Sequence, residues 1–485
     1  MLSRPVYRLT HSAGLSEQCA PRWAGTGRPA VAALLAAVLL ALAHPVHGQA
    51  PCPSPPPVTL SSTIPTEVCI PAHFPGNPIA FFDDFSWRSF VAVVWPVLKG
   101  QRGVPDSSQG VGASGSRVFE TYKALLEVFH GDGSAPSAWN ALDAPKYNPC
   151  SASVGFGDLV LASFTKFSDL GQAGFGSLLG PLVAQNTTYV RYLTAYNQIE
   201  FSQIAGSQLY LRKNLPAPPK SLTLAMGSLD VKSAWIAMAN VPHPERYYTR
   251  MALVLDPDTG TCSNQLVGLV GLHIVQKTPS RPQWIWSTFE QVDTVPPAQS
   301  GAPGTFGFNN GNASVPMPAS NPYPLSPLMV PTPPPFNVTR VKPIHSSTQA
   351  TNAAYQQALA AQGSGVWQFY QLVMTQWPLF PNSPSNPGTP PNTFPGMGTD
   401  QTSFANTTLE TFEQGNIRTG CMNCHTSTMQ ATDFVWSLKD HAFPPTVPSL
   451  MMQQPEFQAL RKLLLETAPV APAKVPPGGP PSPPQ

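Results

Sequence analysis

Apolar positions along this chain fall into short patterned blocks, separated by long stretches of proline, glycine, serine and asparagine. From Phe81 to Trp95 they are dense. The aspartates Asp83 and Asp84 suit an N-cap and Pro96 a stop, so the block predicts a buried helix. Its aromatic residues read more simply as core than as a cofactor box. After a Gly/Ser-rich loop at 101–117, residues 118–131 have helical periodicity, with His130 as a surface residue facing the helix C-terminus. A second helical stretch is expected over 189–213, carrying Tyr192, Tyr196, Ile199, Phe201 and Leu209.

The clearest strand pattern runs from Tyr247 to Val292. Arg250 to Leu255 is a short apolar strand, Asp256 to Gly260 has turn chemistry, and Gln265 to Val275 suits a strand buried on both faces. Trp284 to Phe289 alternates as a third strand, and an antiparallel sheet is the economical arrangement. Beyond it, an Ala-rich helix begins near 352 and a strand covers Val366 to Met374. Thr407 and Glu410 form a capping-box pattern for a helix that Gly415 would end, leading the chain toward Cys421. Asp433 to Leu438 is short and apolar, and Pro455 to Leu465 reads as a helix. The expected fold is α+β: an antiparallel sheet with packed helices, long Pro-rich loops and a helical segment near the C-terminus that holds Cys421 to His425.

Composition changes this picture by pointing outward from the cytoplasm. Charged residues make up only 11% of the chain and there are 59 prolines, a balance suited to an exported, loop-rich protein. Residues Ala30 to Ala43 form an apolar run of 14, too short to span a bilayer comfortably, behind Arg22 and Arg28 and ahead of Val46-His47-Gly48. A signal peptide over 1–48 is expected, with a retained anchor as the alternative. Its removal would take away four arginines and one glutamate, shifting the formal charge from +2 to −1. No basic cluster with interleaved aromatics then remains to bind nucleic acid, and no stable membrane span is expected after cleavage. The expected organisation is an α+β body at 49–295, a Pro/Gly/Asn-rich loop at 296–343, the rest of the body with the segment around Cys421 at 344–467, and a disordered Pro-rich tail at 468–485.

Cys421-Met422-Asn423-Cys424-His425 carries the chemistry. C-x-x-C-H is the pattern of c-type haem attachment, and with seven cysteines and ten histidines it would arise by chance in roughly one such chain in several hundred. The two thiols would each add across a haem vinyl group, and the helical turn between them would bring His425 under the iron as proximal ligand. A structural zinc site would want a further ligand pair, and a dithiol redox motif would not need the histidine. Four other cysteines of the mature part are an even number, suited to disulfides; Cys52 with Cys69 and Cys150 with Cys262 is the favoured pairing, with free buried cysteines as the alternative.

His273 is the further candidate for the iron. In strand geometry Val267, Leu269, Gly271, His273 and Val275 share one face, and Gly271 leaves a gap beside the imidazole where a flat macrocycle could approach. It is expected either as distal ligand or propionate contact, or as a core histidine satisfied by backbone. His441, Met451 and Met452 are the other candidates for the sixth position, which can also be open.

Several stretches together resemble a group of bacterial cytochrome c family proteins: Trp87 to Ala92, Asp256 to Cys262, Gly268 to Val275, Gln283 to Glu290 and Cys421 to His425. The similarity covers about residues 80–295 and 345–440; the chain departs from the pattern at Val94, where the group has asparagine. The resemblance implies an exported, periplasmic or secreted bacterial protein with one covalent haem c and brings no reaction with it. Electron transfer to a redox partner protein is the leading expectation, and the chain leans away from being an enzyme. A haem enzyme of peroxidase or oxidase type and a small-ligand sensor are the alternatives. No GxSxG, HExxH or phosphate-loop pattern supports non-haem catalysis.

Overall fold

The first apolar block forms the helix its pattern predicts, but it begins earlier. In the computed structural model, which describes residues 52–162, 182–217, 220–256, 261–297, 305–312, 335, 337–379, 381, 405–414, 420–425 and 428–445, helix α1 spans Ile79–Val93 and enters at Pro78. Proline has no N–H to leave unpaired and a φ suited to helix entry, so it takes the start that was expected of an aspartate. Asp83 and Asp84 consequently lie inside the helix. Asp83 accepts hydrogen bonds from Thr348 (2.7 Å) and Thr375 (2.8 Å), and Asp84 accepts one from the Tyr355 hydroxyl at 2.6 Å.

Those partners belong to α4 (Ser346–Ala361) and β8 (Tyr370–Gln376), so the two aspartates tie α1 to the elements packed against it. Apolar contact supplies the rest. Trp87 stacks on Tyr355 at 5.1 Å and meets Phe289 edge-on at 5.2 Å, while its indole N–H donates to Asn352 at 2.9 Å.

Eight strands form one mixed, mostly antiparallel sheet: β1 (Lys123–Ala124), β2 (Leu159–Leu161), β3 (Arg191–Tyr196), β4 (Leu229–Ala237), β5 (Thr249–Leu255), β6 (Cys262–Thr278), β7 (Arg281–Gln291) and β8. The order is β1-β3-β4-β6-β5-β2, with β7 on β6 and β8 on β7; among the described strands only the β2–β5 pair is parallel. Seventeen-residue β6 is the spine, pairing with β5 through its first half, β7 through its second and β4 along most of its length.

A bulge in β6 corrects the expected face. Ala234 pairs with Gly271 and Trp235 with Leu269, so Val270 is an extra residue and the in/out alternation inverts beyond it. Val267, Leu269, Leu272 and Ile274 therefore share the large core, while Gly271 and His273 turn to the other side with residues 406–410. Gly271 does mark a close approach, but the segment that fills it is protein: a Cβ there would collide with the Thr408 hydroxyl and come within 3.2 Å of Leu409. No room is left at that point for a macrocycle.

Other expectations need correction. The 118–131 stretch is broken into a 3-10 turn at Phe119–Thr121, strand β1 and a single helical turn, α2 (Leu125–Val128), because Lys123 and Ala124 pair with β3. His130 is buried at 4% exposure, stacked on Tyr147 at 3.6 Å and bonded to Ser134 and Asp143, each at 2.9 Å. The 189–213 stretch is strand β3 followed by helix α3 (Gln198–Gly206), capped by Asn197. Val366 to Phe369 belong to a 3-10 segment rather than to strand β8. Residues 405–414 are turns with one 3-10 turn at Thr411–Glu413; the Thr407 N–H is taken by Glu290, leaving Asn406, whose N–H reaches Glu410 at 3.2 Å, to close the turn.

Cys52–Cys69 and Cys150–Cys262 are both disulfide-bonded. Among the described residues no helix is long and apolar enough to cross a membrane. The expected signal segment, the 257–260 turn, the Pro455 to Leu465 helix, the tail and the candidates Met451 and Met452 lie outside the described residues.

Candidate haem site

Cys421 and Cys424 lie on one helical turn, α5 (Cys421–His425), and neither is in a disulfide. The turn is seated on the end of the sheet. Met422 is fully buried in the main core and its N–H donates to the Gln376 side chain at the end of β8 (3.3 Å). After the single turn α6 (Met429–Thr432), Trp436 opens α7 (Trp436–His441) and donates its indole N–H to the Cys424 carbonyl at 3.3 Å. Gly420 is required by close approach, since a Cβ there would run into the Gln376 amide. Burial, with Glu410 and Cys424 adding to it, pushes the Cys421 thiol up, so it stays protonated at neutral pH.

His425 is held in a defined tautomer. Its Nδ1 lies 2.6 Å from the Phe434 carbonyl oxygen, which can only accept, so Nδ1 carries the proton and Nε2 keeps its lone pair. Both Asp433 and Phe434 have left-handed backbone conformations (φ 49° and 73°), a costly geometry for a phenylalanine that persists where the surroundings enforce it. Here the Trp284 indole anchors the Asp433 carbonyl at 3.0 Å. Trp286 lies against the imidazole, with ring centroids 4.5 Å apart. Burial is the main cause that pushes His425 down to about 4, and the charges of Lys232 and His273 act in the same direction. The ring is therefore neutral at physiological pH, the form in which an imidazole ligates a metal.

His273 lies in the same electrostatic neighbourhood, on β6, opposite Thr288 of β7 and Lys232 of β4. Its partner is a carboxylate rather than backbone: Nε2 is 2.7 Å from Glu410 Oε1. The pair acts on the motif electrostatically: Glu410 on Cys421 and on His425, and His273 on His425. Any axial role of His273 through Nε2 would first have to release Glu410. His441 ends α7 with its ring 6.1 Å from that of Phe129.

The donor set fits a c-type haem. Two cysteines outside any disulfide and an imidazole whose Nε2 keeps its lone pair are what thioether attachment and one axial bond require, and the Nδ1–H to carbonyl bond is the kind of support that orients ligating histidines. Among the described residues no group of three or more His, Cys, Asp or Glu has an arrangement that could hold a metal ion, so a structural zinc site finds no ligand set there. Trp286, Phe434, Gln376 and Glu410 were not legible as site residues, because each reaches the motif from a distant element. Only the Trp284-Ile285-Trp286 pattern marked one of them in advance.

Comparison of the chain with family models, with curated proteins and with solved structures finds no match.

Proposed function

We propose that the protein is an exported bacterial c-type cytochrome that carries one haem c through Cys421 and Cys424, with His425 as proximal ligand, and that it serves electron transfer. The observation that carries this reading is the tautomer of His425: a neutral imidazole, its Nδ1–H fixed on Phe434, presented one residue after the second of two cysteines that are not in disulfides. The other four cysteines of the described residues are in disulfides, which fits an oxidising compartment such as the periplasm, where covalent haem attachment also takes place. When bound, the haem supplies one-electron chemistry; the chain supplies attachment, axial ligation and the apolar surroundings that set its potential.

The resemblance to bacterial cytochrome c family proteins agrees with this reading, though it names no partner. A second reading, a haem enzyme or ligand sensor with an open sixth position, is favoured by the His273–Glu410 pair, a hydrogen-bonded acid and base beside the site. Carbon monoxide separates the two. Reduced protein that is low-spin and ignores the gas supports electron transfer, whereas rapid binding moves the site to catalysis or sensing.

A further inference from the structure

Glu200 is a buried acid with nothing to hold its charge. It sits in the first turn of α3 at 0% exposure, its N–H taken by the Asn197 cap at 3.0 Å, and neither carboxylate oxygen has a hydrogen-bond partner among the described residues. Three charged groups face it. Asp230 comes from β4, Lys277 from the end of β6 and Asp433 from the turn before α7. Lys277 is already committed: its ammonium is bonded to the Asp433 carboxylate, which also accepts the Leu224 N–H at 2.8 Å. One ammonium among three carboxylates cannot keep all of them ionised in a dry interior.

Asp433 links this acid to His425: its carboxylate is bonded to Lys277 and acts on Glu200 electrostatically, its carbonyl holds the Trp284 indole, and the next carbonyl, that of Phe434, holds His425 Nδ1. We propose that Glu200 is a redox-coupled proton site, raising its proton occupancy from solvent when a one-electron donor delivers an electron to the haem site and lowering it on oxidation; this rests on the haem reading above. At most one proton accompanies each electron, in either direction.

Burial, followed by Asp230 and Asp433, pushes the Glu200 carboxyl well above its ordinary range, and Lys277 opposes this. The sign of the coupling follows from charge. Reduction removes one positive charge from the site, and in the poorly screened interior this raises the proton affinity of Glu200 further. The midpoint potential must then fall as pH rises between the two proton affinities and be flat on either side.

The test uses full-length, haem-loaded protein and its Glu200→Gln variant, with midpoint potentials measured by spectroelectrochemistry from about pH 5 to about pH 9 and a redox-difference infrared spectrum of each. A tenfold difference in proton affinity between redox states predicts a total fall of about 59 mV in the wild type. E200Q should lose most of this fall, together with the protonated-carboxyl band that appears on reduction. A wild-type potential that is flat across this range, or an E200Q variant with the wild-type slope, overturns the coupling and leaves the cytochrome reading standing. Should E200Q not fold, the wild-type infrared spectrum decides: without a carboxyl band that shifts in deuterium oxide, the proposal fails. Failure of covalent attachment overturns the cytochrome reading and the coupling with it.

Discussion

Asp83→Asn isolates the cost of burying a charge at the α1–α4–β8 junction. Asp83 is fully buried between two threonine hydroxyls, and burial lifts its carboxyl from 3.8 to about 7 against their opposing pull. A group raised on folding contributes stability that is complete below its unfolded pKa and is lost as pH rises through the folded value, so the window runs from about pH 4 to about pH 7. A rise of three pKa units corresponds to about 4 kcal/mol at full ionisation, an upper bound because the interior relaxes around the charge. Asparagine keeps an acceptor for one threonine and offers an N–H to the other, and it does not titrate. Relative to wild type, D83N should therefore gain about 1–3 kcal/mol between about pH 5 and about pH 8. The assay is urea denaturation of disulfide-intact protein, followed by tryptophan fluorescence, with wild type and variant compared at each pH. Glu120 and Asp230, each also raised to about 7, titrate in both chains and cancel in the difference. A difference that does not change with pH would refute the reasoning.

Further outcomes follow from the same structure. Removing the Cys150–Cys262 bridge, which spans 112 residues, should cost about 2–5 kcal/mol by denaturant titration, more than removing Cys52–Cys69, which spans 17, because the longer loop regains more entropy when unfolded. Gly420→Ala should lower the yield of covalent haem several-fold, measured as the ratio of Soret to protein absorbance, because the added methyl displaces Gln376 from the Met422 N–H; an unchanged ratio would show that the turn is not seated as described. His273→Ala should leave the haem attached and low-spin if the Glu410 bond persists in the loaded protein, whereas a change to high spin would make His273 an axial ligand.

What the sequence made legible was local. The β5–β6–β7 meander could be read from its alternation, α1 from its apolar density, and the presence of two disulfides from the even number of cysteines outside the motif, whereas their connectivity was only a preference. Strand β4, with five lysine, aspartate, serine and alanine positions among nine, carries too weak a pattern to announce a central strand, although it pairs along most of β6. His273 could be singled out, but its face could not be assigned, because the bulge at Val270 inverts the alternation on which that assignment depended. The motif itself was plain. Its support was hidden because Trp286, Gln376 and Phe434 lie in three separate segments that only the fold brings together.

The central claim is tested most directly by producing the protein in a host competent for c-type haem maturation, denaturing it, and extracting with acidified organic solvent. The account predicts one haem per chain that stays with the polypeptide and gives a c-type reduced pyridine spectrum, and its loss from a Cys421→Ala, Cys424→Ala double variant. Haem that extracts freely, or a wild-type chain that acquires none, would contradict it.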